Sequence, residues 1–271
     1  MTLRKLPPTN GITKDSSTVE FELPRLDSPN VYLIHQTVLR VNCIIEKAAG
    51  GVPDVDSNVG PVNLTLHSMW QNVSMAINDK EVTKSSSNYH YKCYMMTKMT
   101  YNMDVKGSYL MCSNWANDIP GSYGSVESNA GLNERAQMFR QGRDVTKPFK
   151  SEGCVLMSRL YHDLVDAELP LPPQTKINFT LQKAPDSFIL MVPPKQGTAQ
   201  AVDNEQYKLK LLNVSLYVPV GVLSTPMYNA ILSRWPSEPI VYHYRPTGIT
   251  TSVIPRGTQE YISDSMFPVG F

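Results

Sequence analysis

Charge is scarce in this chain. Only 18% of its 271 residues are Asp, Glu, Lys or Arg, and 25 cations against 24 anions leave a formal net charge of +1. A disordered chain carries more charge and less apolar side chain. A free nucleic-acid binder shows a basic excess, and none is present. Long apolar runs are missing too, with nothing near the ~20 residues of a membrane-spanning helix. The opening MTLRKLPPTNGITKDSS has no apolar core region, so no secretory signal peptide is expected. Cysteine is sparse and unpaired in spacing. Cys43, Cys93, Cys112 and Cys154 form no CxxC, which argues against a zinc site or a disulfide framework. Free thiols in a reducing compartment are expected, with Cys43 a small core residue of a strand.

Catalytic signatures are also lacking. His35, His67, His90, His162 and His243 form no HxH, HExxH or facial-triad spacing. There is no GxSxG, no P-loop and no Gly-rich run that opens a helix. His162-Asp163 beside Asp166 and Glu168 is the nearest thing to an acid–base cluster, and a solvated loop is its favoured reading. Gly142-Arg143 with Lys147 and Lys150 makes a modest basic patch, again read as a solvated loop. No catalytic residue, cofactor-binding residue or metal ligand is assigned, no cofactor is expected, and the chain is not read as an enzyme.

What the chain has is turns and short apolar segments. Its 21 Pro and 15 Gly are spread along the sequence, the punctuation of an all-β protein. Thr18–Leu23 alternates with Val19, Phe21 and Leu23 on one face. Val31–Ile34 is a short apolar run, and Thr37–Glu46 is a firmer strand rich in β-branched residues. Ala48–Gly60 reads as a loop. Gly60–Tyr94 holds a helical piece (Val62, Leu66, Met69, Trp70), a strand (Val73, Met75, Ile77), a tight turn at Asn78-Asp79 and a returning strand Lys80–Thr83. A helix is predicted from Asn88 to about Thr100. Its Met95, Met96 and Met99 suit a partner face, but a core-facing helix covering a sheet is the favoured reading.

Asn102–Lys150 is the least readable part, with a loop at Asp118–Asn133 and one or two helical turns at Glu134–Arg140. A loop that long has a job, as an exposed lid or a neighbour-contacting arm. Cys154–Leu160 is strand-like. Lys176–Gln182 gives the cleanest alternation, with Ile177, Phe179 and Leu181 inward. Phe188–Val192 reads as an apolar strand. In Tyr207–Val218 the buried phase changes between Leu211 and Leu212, which predicts a β-bulge there. Ser224-Thr225-Pro226 starts a helix to about Trp235. Ile240, Tyr242 and Tyr244 alternate, and Gly248–Ile254 is another short strand. Asn-x-Ser/Thr triplets at Asn63, Asn72, Asn178 and Asn213 read as ordinary strand polar residues. Eight or more short strands, two or three short helices in loops and no βαβ rhythm give an all-β fold. Its natural form is an antiparallel β-sandwich of jelly-roll type.

Five stretches carry a resemblance: GPVNLTLHSMWQNVSMAINDKEVT, SSSNYHYKCYMMTKMTYN, NAGLNERAQMF, SRLYHDLVDAELPLPPQTKINFTLQKAPDSFILM and YKLKLLNVSLYVPVGV. In this order, over roughly Val19 to Phe267, the chain resembles the double jelly-roll major capsid (hexon-like) proteins of Polinton/Maverick elements and adintoviruses, including copies in invertebrate genomes. The resemblance implies a structural subunit that trimerises into pseudo-hexagonal capsomers of an icosahedral virion shell. It implies self-association and contacts with a penton or minor capsid protein. It also implies synthesis in the host cytoplasm, with assembly there or in the nucleus, and no secretion. No catalytic residue comes with it. Family members continue into a second jelly roll, and this sequence stops where that one would begin, so a truncated or shortened copy is expected. The domain reading is an arm at 1–17, a jelly roll at 18–235, and a linker or first strands of a second jelly roll at 236–271. Expected inter-subunit contacts are the arm, the loop Asp118–Asn133 and Ile240–Tyr244, with Tyr123, Met138, Phe139, Tyr242 and Tyr244 as candidate residues. The alternatives are a single jelly-roll vertex, attachment or glycan-binding module, and a domesticated copy that no longer assembles.

Overall fold

Alternating side chains need a layer on which to close, and this chain supplies two. The computed structural model describes residues 1–27, 29–82, 88–122, 128–166, 170–192 and 206–234, with positions 237–238, 241–243, 247–249, 251, 253–254 and 256–257. In chain order the elements are β1 (Thr2–Leu6), β2 (Thr18–Leu23), β3 (Asn30–Tyr32), β4 (Val38–Lys47), β5 (Gly60–Pro61), α1 (Thr65–Ser68), β6 (Trp70–Ile77), β7 (Lys80–Glu81), α2 (Tyr89–Thr100) and α3 (Met103–Lys106). After a 3-10 turn at Tyr109–Ser113 come α4 (Ala130–Gln137), β8 (Cys154–Arg159), β9 (Ile177–Lys183), α5 (Asp186–Ile189), β10 (Leu190–Met191), β11 (Tyr207–Val222) and α6 (Thr225–Arg234).

One sheet has the order β1-β11-β4-β8, with β3 also on β11, and the other has β2-β9-β6-β7. The pairings are antiparallel. Successive long strands cross from one sheet to the other, which makes an antiparallel jelly-roll sandwich. The core lies between the layers. Val19, Phe21 and Leu23 of β2, Ile177, Phe179 and Leu181 of β9, and Leu39, Val41, Cys43 and Ile45 of β4 are all buried. Their polar alternates face outward, as the two-residue repeat of an extended strand dictates.

β11 changes phase where the alternation does. Its register on β4 runs Leu211↔Cys43 and then Asn213↔Asn42, which leaves Leu212 unopposed. Leu209 and Leu211 before it, and Val214, Leu216 and Val218 after it, are all buried. The bulge, two residues opposite one, absorbs the extra residue, so both halves face the core. The β6–β7 hairpin closes at Asn78 (φ 48°) and Asp79 (φ 65°), the two left-handed positions of a two-residue turn.

The N-terminal stretch, expected as a mobile or partner-docked arm, lies on the chain's own sheets. Its residues 2–6 pair with β11. Farther on, Thr9 N donates to Glu20 O at 2.8 Å and Asn10 Nδ2 to Thr18 O at 2.8 Å, so these residues cover the edge of β2. Lys14 Nζ then donates to Glu46 Oε1 at 2.6 Å, and that bond is the largest influence holding the Glu46 carboxyl below its ordinary pKa.

Three expectations change. Phe188–Val192 is not a strand throughout. Asp186–Ile189 is one helical turn behind Pro185, and Leu190–Met191 alone pair, with β5. Of Glu134–Arg140 only Glu134–Gln137 is helical, and the helix begins earlier, at Ala130, because Asn129 caps it there: its Oδ1 accepts from Gly131 N at 3.1 Å and Leu132 N at 3.4 Å. The described residues of Gly248–Ile254 carry no strand. By contrast, α6 begins where expected, Tyr228 N donating to Ser224 O at 2.9 Å. The expected end at Trp235 lies outside the described residues.

Candidate interaction surface

The region between β7 and β8 carries α2, α3 and α4, and several large apolar side chains of this region are exposed. α2 has two apolar rows. Tyr89, Cys93 and Thr97, four apart, are buried against the sandwich. Two positions along, Tyr91, Met95 and Met99 repeat at the same spacing on the opposite side of the helix. Tyr91 is 42% exposed, Met95 48% and Met99 74%. The expected core-facing role of these methionines is therefore corrected. The helix does cover the sheet, but with the other row, while Met96 is half-buried. Exposed Met103 on α3, and Tyr109 and Met111 on the 3-10 turn, follow along the chain. That turn sits at the outer edge of β8, where Arg159 N donates to Tyr109 Oη at 3.2 Å.

The three lysines of α2 and α3 are engaged. Lys92 is ion-paired with Asp163. Lys98 Nζ lies 5.3 Å from the centre of the Trp115 ring and 5.8 Å from that of Tyr94, within reach of a cation–π attraction. Lys106 is buried, and its Nζ donates to Lys98 O at 3.1 Å.

Polar contacts join buried apolar side chains such as Leu110, Leu132 and Phe139 in holding the rest of this region. Arg135 is 1% exposed and lies 2.9 Å from Asp118 Oδ1. It also donates to Pro61 O and Ala116 O, both at 3.1 Å. Burial lowers its pKa, and the Asp118 charge opposes that shift. Asp118 in turn accepts from Asn129 Nδ2 at 2.9 Å and Asn63 Nδ2 at 3.2 Å. Arg140 reaches the carbonyls of Val55, Ser57 and Lys147 at 2.8–3.0 Å, and its guanidinium stacks 4.1 Å over the Phe149 ring. Gly131 packs so closely that an added Cβ would lie 2.3 Å from Asn117 O.

Of the residues expected at inter-subunit contacts, Tyr123 and Tyr244 lie outside the described residues. Phe139 is 2% exposed and Met138 is half-buried; both pack on the core. Tyr242 is half-buried and donates from Oη to Pro170 O at 2.9 Å. None of the three described residues is exposed. The outer row of α2 went unassigned because one helix carrying two apolar rows gives no sequence signal for which row the sheet takes.

Of the His162 cluster, read as a solvated loop, His162 is buried and Asp163 half-buried, while Asp166 is exposed. His162 takes a hydrogen bond at Nδ1 from Leu164 N at 3.2 Å, and burial lowers its pKa to about 4. Asp163 accepts from Lys92 and from Thr247 N and Oγ1, at 3.0 and 2.8 Å for the latter two. Glu168 lies outside the described residues. His67 is fully buried, 3.1 Å from Tyr89 Oη, and burial takes its pKa to about 3. Among the described residues no group of three His, Cys, Asp or Glu is placed to hold a metal ion. All four cysteines are free thiols, and Cys43 is a core residue. No described helix is long and apolar enough to cross a membrane. A groove of about 420 Å³ lies between α6 and the sandwich, lined by Val31, Leu171, Leu223, Met227, Ile231 and Tyr242.

No protein-family model and no curated protein matches the sequence significantly. Among solved structures the fold is similar to a chain of the Sputnik virophage seen by cryo-EM, at 11% identity and a TM-score of 0.55, over 83% of this chain and 48% of that one. It is also similar to the mavirus major capsid protein (9% identity, TM-score 0.48, 83% and 48% covered) and the Faustovirus major capsid protein (10%, 0.41, 86% and 56%). The chain thus spans about half the length of these solved chains. At such identities the likeness speaks to the fold.

Proposed function

We propose that this chain is a structural capsid subunit of a virus or virus-like transposon, acting by self-association and not by chemistry. The observation that carries the reading is the strand order, β1-β11-β4-β8 over β2-β9-β6-β7, together with its likeness to a chain of the Sputnik virophage particle. The exposed apolar face on α2 and the near-zero net charge support it, since copies meet without strong mutual repulsion. Five ordered sequence stretches favour the Polinton/Maverick and adintovirus lineage. On that reading the unit is a homotrimer forming pseudo-hexagonal capsomers, with a penton or minor capsid protein as neighbour, in the virion. The domain reading proposed with it is an N-terminal segment at 1–17 lying on the chain's own sheets, the jelly roll at 18–235, and a linker or the first strands of a second jelly roll at 236–271.

Sedimentation velocity and negative-stain microscopy of the purified chain over a wide concentration range test this reading. Trimers or shells are expected. Glycan-array binding by a protein that stays monomeric would replace the reading with an attachment module of the same fold.

A further inference from the structure

Residues directly opposite each other on antiparallel strands project to the same face of the sheet. β4 and β8 hold two cysteines in that relation, Cys43 opposite Cys154. Both are free thiols and both are buried, at 0% and 4% exposure. Cys43 Sγ is directed at its partner and donates to Cys154 O at 3.9 Å. The other two cysteines lie elsewhere, Cys93 buried on α2 and Cys112 exposed on the 3-10 turn.

The spacing of such a pair suits a covalent bond. A disulfide joins Cα atoms about 4.4–6.8 Å apart. Opposed residues of antiparallel strands have Cα atoms about 4.5 or 5.5 Å apart, according to their hydrogen bonding, and both values fall inside that range. Their Cβ atoms lie about 4.5–5.5 Å apart and the bond needs about 3.5–4.5 Å, so the strands have to close by about 1 Å. The site is placed to do so. Cys154 is the first residue of β8, and β8 is the outermost strand of its sheet. Gly153, at φ 82°, brings the chain hard against Cys43, where an added Cβ would lie 2.7 Å from Cys43 O. Burial pushes both thiols up from their ordinary pKa. Both therefore stay protonated and unreactive at neutral pH until the end of β8 opens.

We infer that Cys43 and Cys154 are a disulfide site, closed by exchange with a small oxidised thiol such as glutathione disulfide. The Cys154 thiolate attacks one sulfur of glutathione disulfide and expels one glutathione thiolate. The Cys43 thiolate then attacks the Cys154 sulfur of the mixed disulfide and expels the second. The two protein thiols give up two electrons and two protons, and glutathione disulfide takes them up as two thiols. The bond joins residues 111 apart in sequence, so it removes much freedom from the unfolded chain. It also locks the edge strand β8 to β4. In the reduced chain β8 is held there by main-chain hydrogen bonds and packing alone. The site does not depend on the assembling-subunit reading.

The test refolds the full chain carrying Cys112→Ser, which removes the exposed thiol, from urea in a buffer of reduced and oxidised glutathione. Unfolding exposes every thiol, so burial does not limit the exchange. Thiols are then counted under denaturing conditions, and the digested chain is read by mass spectrometry. Two of the three remaining thiols are expected to be lost. A peptide pair joining Cys43 to Cys154, separated by dithiothreitol, is expected with them. The urea midpoint is expected to rise by about 1 M or more over the reduced protein. With Cys154→Ala added, both remaining thiols are expected to persist and the midpoint to be the same in reducing and oxidising buffer. If the chain does not regain its fold, the exchange is run on the native protein in urea just below its transition, with the same expected outcomes. Retention of all three thiols, glutathione adducts in place of the bond, a bond through Cys93, or a linked protein with a lowered midpoint overturns the site.

Discussion

Arg135 and Asp118 form a nearly buried ion pair, 2.9 Å apart, between α4 and the segment that follows the 3-10 turn. Its guanidinium also satisfies two carbonyls, and its carboxylate takes amide protons from Asn63 and Asn129. Removing one partner of such a pair leaves a buried charge without compensation, at a cost of about 3 kcal/mol. Asp118→Ala should lower stability by that order in urea unfolding. A loss under about 0.5 kcal/mol, the range of ordinary surface changes, would show that the pair does not hold α4 in place.

Gly131 makes a second claim about the same helix. Alanine in its place gains up to about 1 kcal/mol of helix propensity. Its Cβ, however, meets a backbone oxygen at 2.3 Å, and overpacking of that kind costs about 3 kcal/mol. Gly131→Ala should therefore lose about 2 kcal/mol by the same measurement. A gain would mean that α4 stands off the 116–118 segment.

The bulge in β11 is open to a deletion. Without Leu212 the residues of β11 match those of β4 one for one, and Leu211, Val214, Leu216 and Val218 keep facing the core with Asn213 outward. That deletion protein should therefore melt cooperatively, as seen by circular dichroism. Deleting Leu212 and Asn213 together should slip Val214, Leu216 and Val218 by one, from the core toward solvent, and that protein should fail to fold. A cooperative melt from the double-deletion protein would contradict the assigned register.

These elements differ in how far the sequence discloses them. β2, β4, β9 and the two halves of β11 are legible because one face is buried and one wet, so burial prints a two-residue repeat. The bulge shows for the same reason, as a break in that repeat. α2 is legible as a helix but not in its orientation, because both of its rows are apolar. Residues 102–150 are opaque since their elements are one or two turns long and held by Arg135, Asp118, Asn63 and Arg140, contacts that leave no period. Phe188–Val192 reads as a strand by composition, yet Pro185 and Asp186 start a helical turn within it. The strand order, and with it the pairing of β11 between β1 and β4, is fixed by contacts far apart in sequence that no local pattern encodes.

Acid should weaken the fold in a defined window. The folded state holds His67 at about 3 and His162 at about 4, in both cases chiefly by burial. An unfolded histidine titrates near 6.5. Burial lowers His90 as well. As pH falls from about 6.5 to about 4, the unfolded chain therefore takes protons at these histidines that the folded chain refuses. Stability falls with pH, by up to ~1.4 kcal/mol per unit for each group. The slope of urea-unfolding free energy over that window should be positive, and His67→Gln should reduce it. An unchanged slope would remove His67 from the account.

The central claim is that this jelly roll exists to touch its own copies. Sedimentation velocity on the purified chain, run from dilute to the highest soluble concentration, tests it most directly. The account predicts a concentration-dependent shift to trimers or larger particles. A single boundary at the mass of one 30.4 kDa chain, unmoved across the whole range, would contradict it.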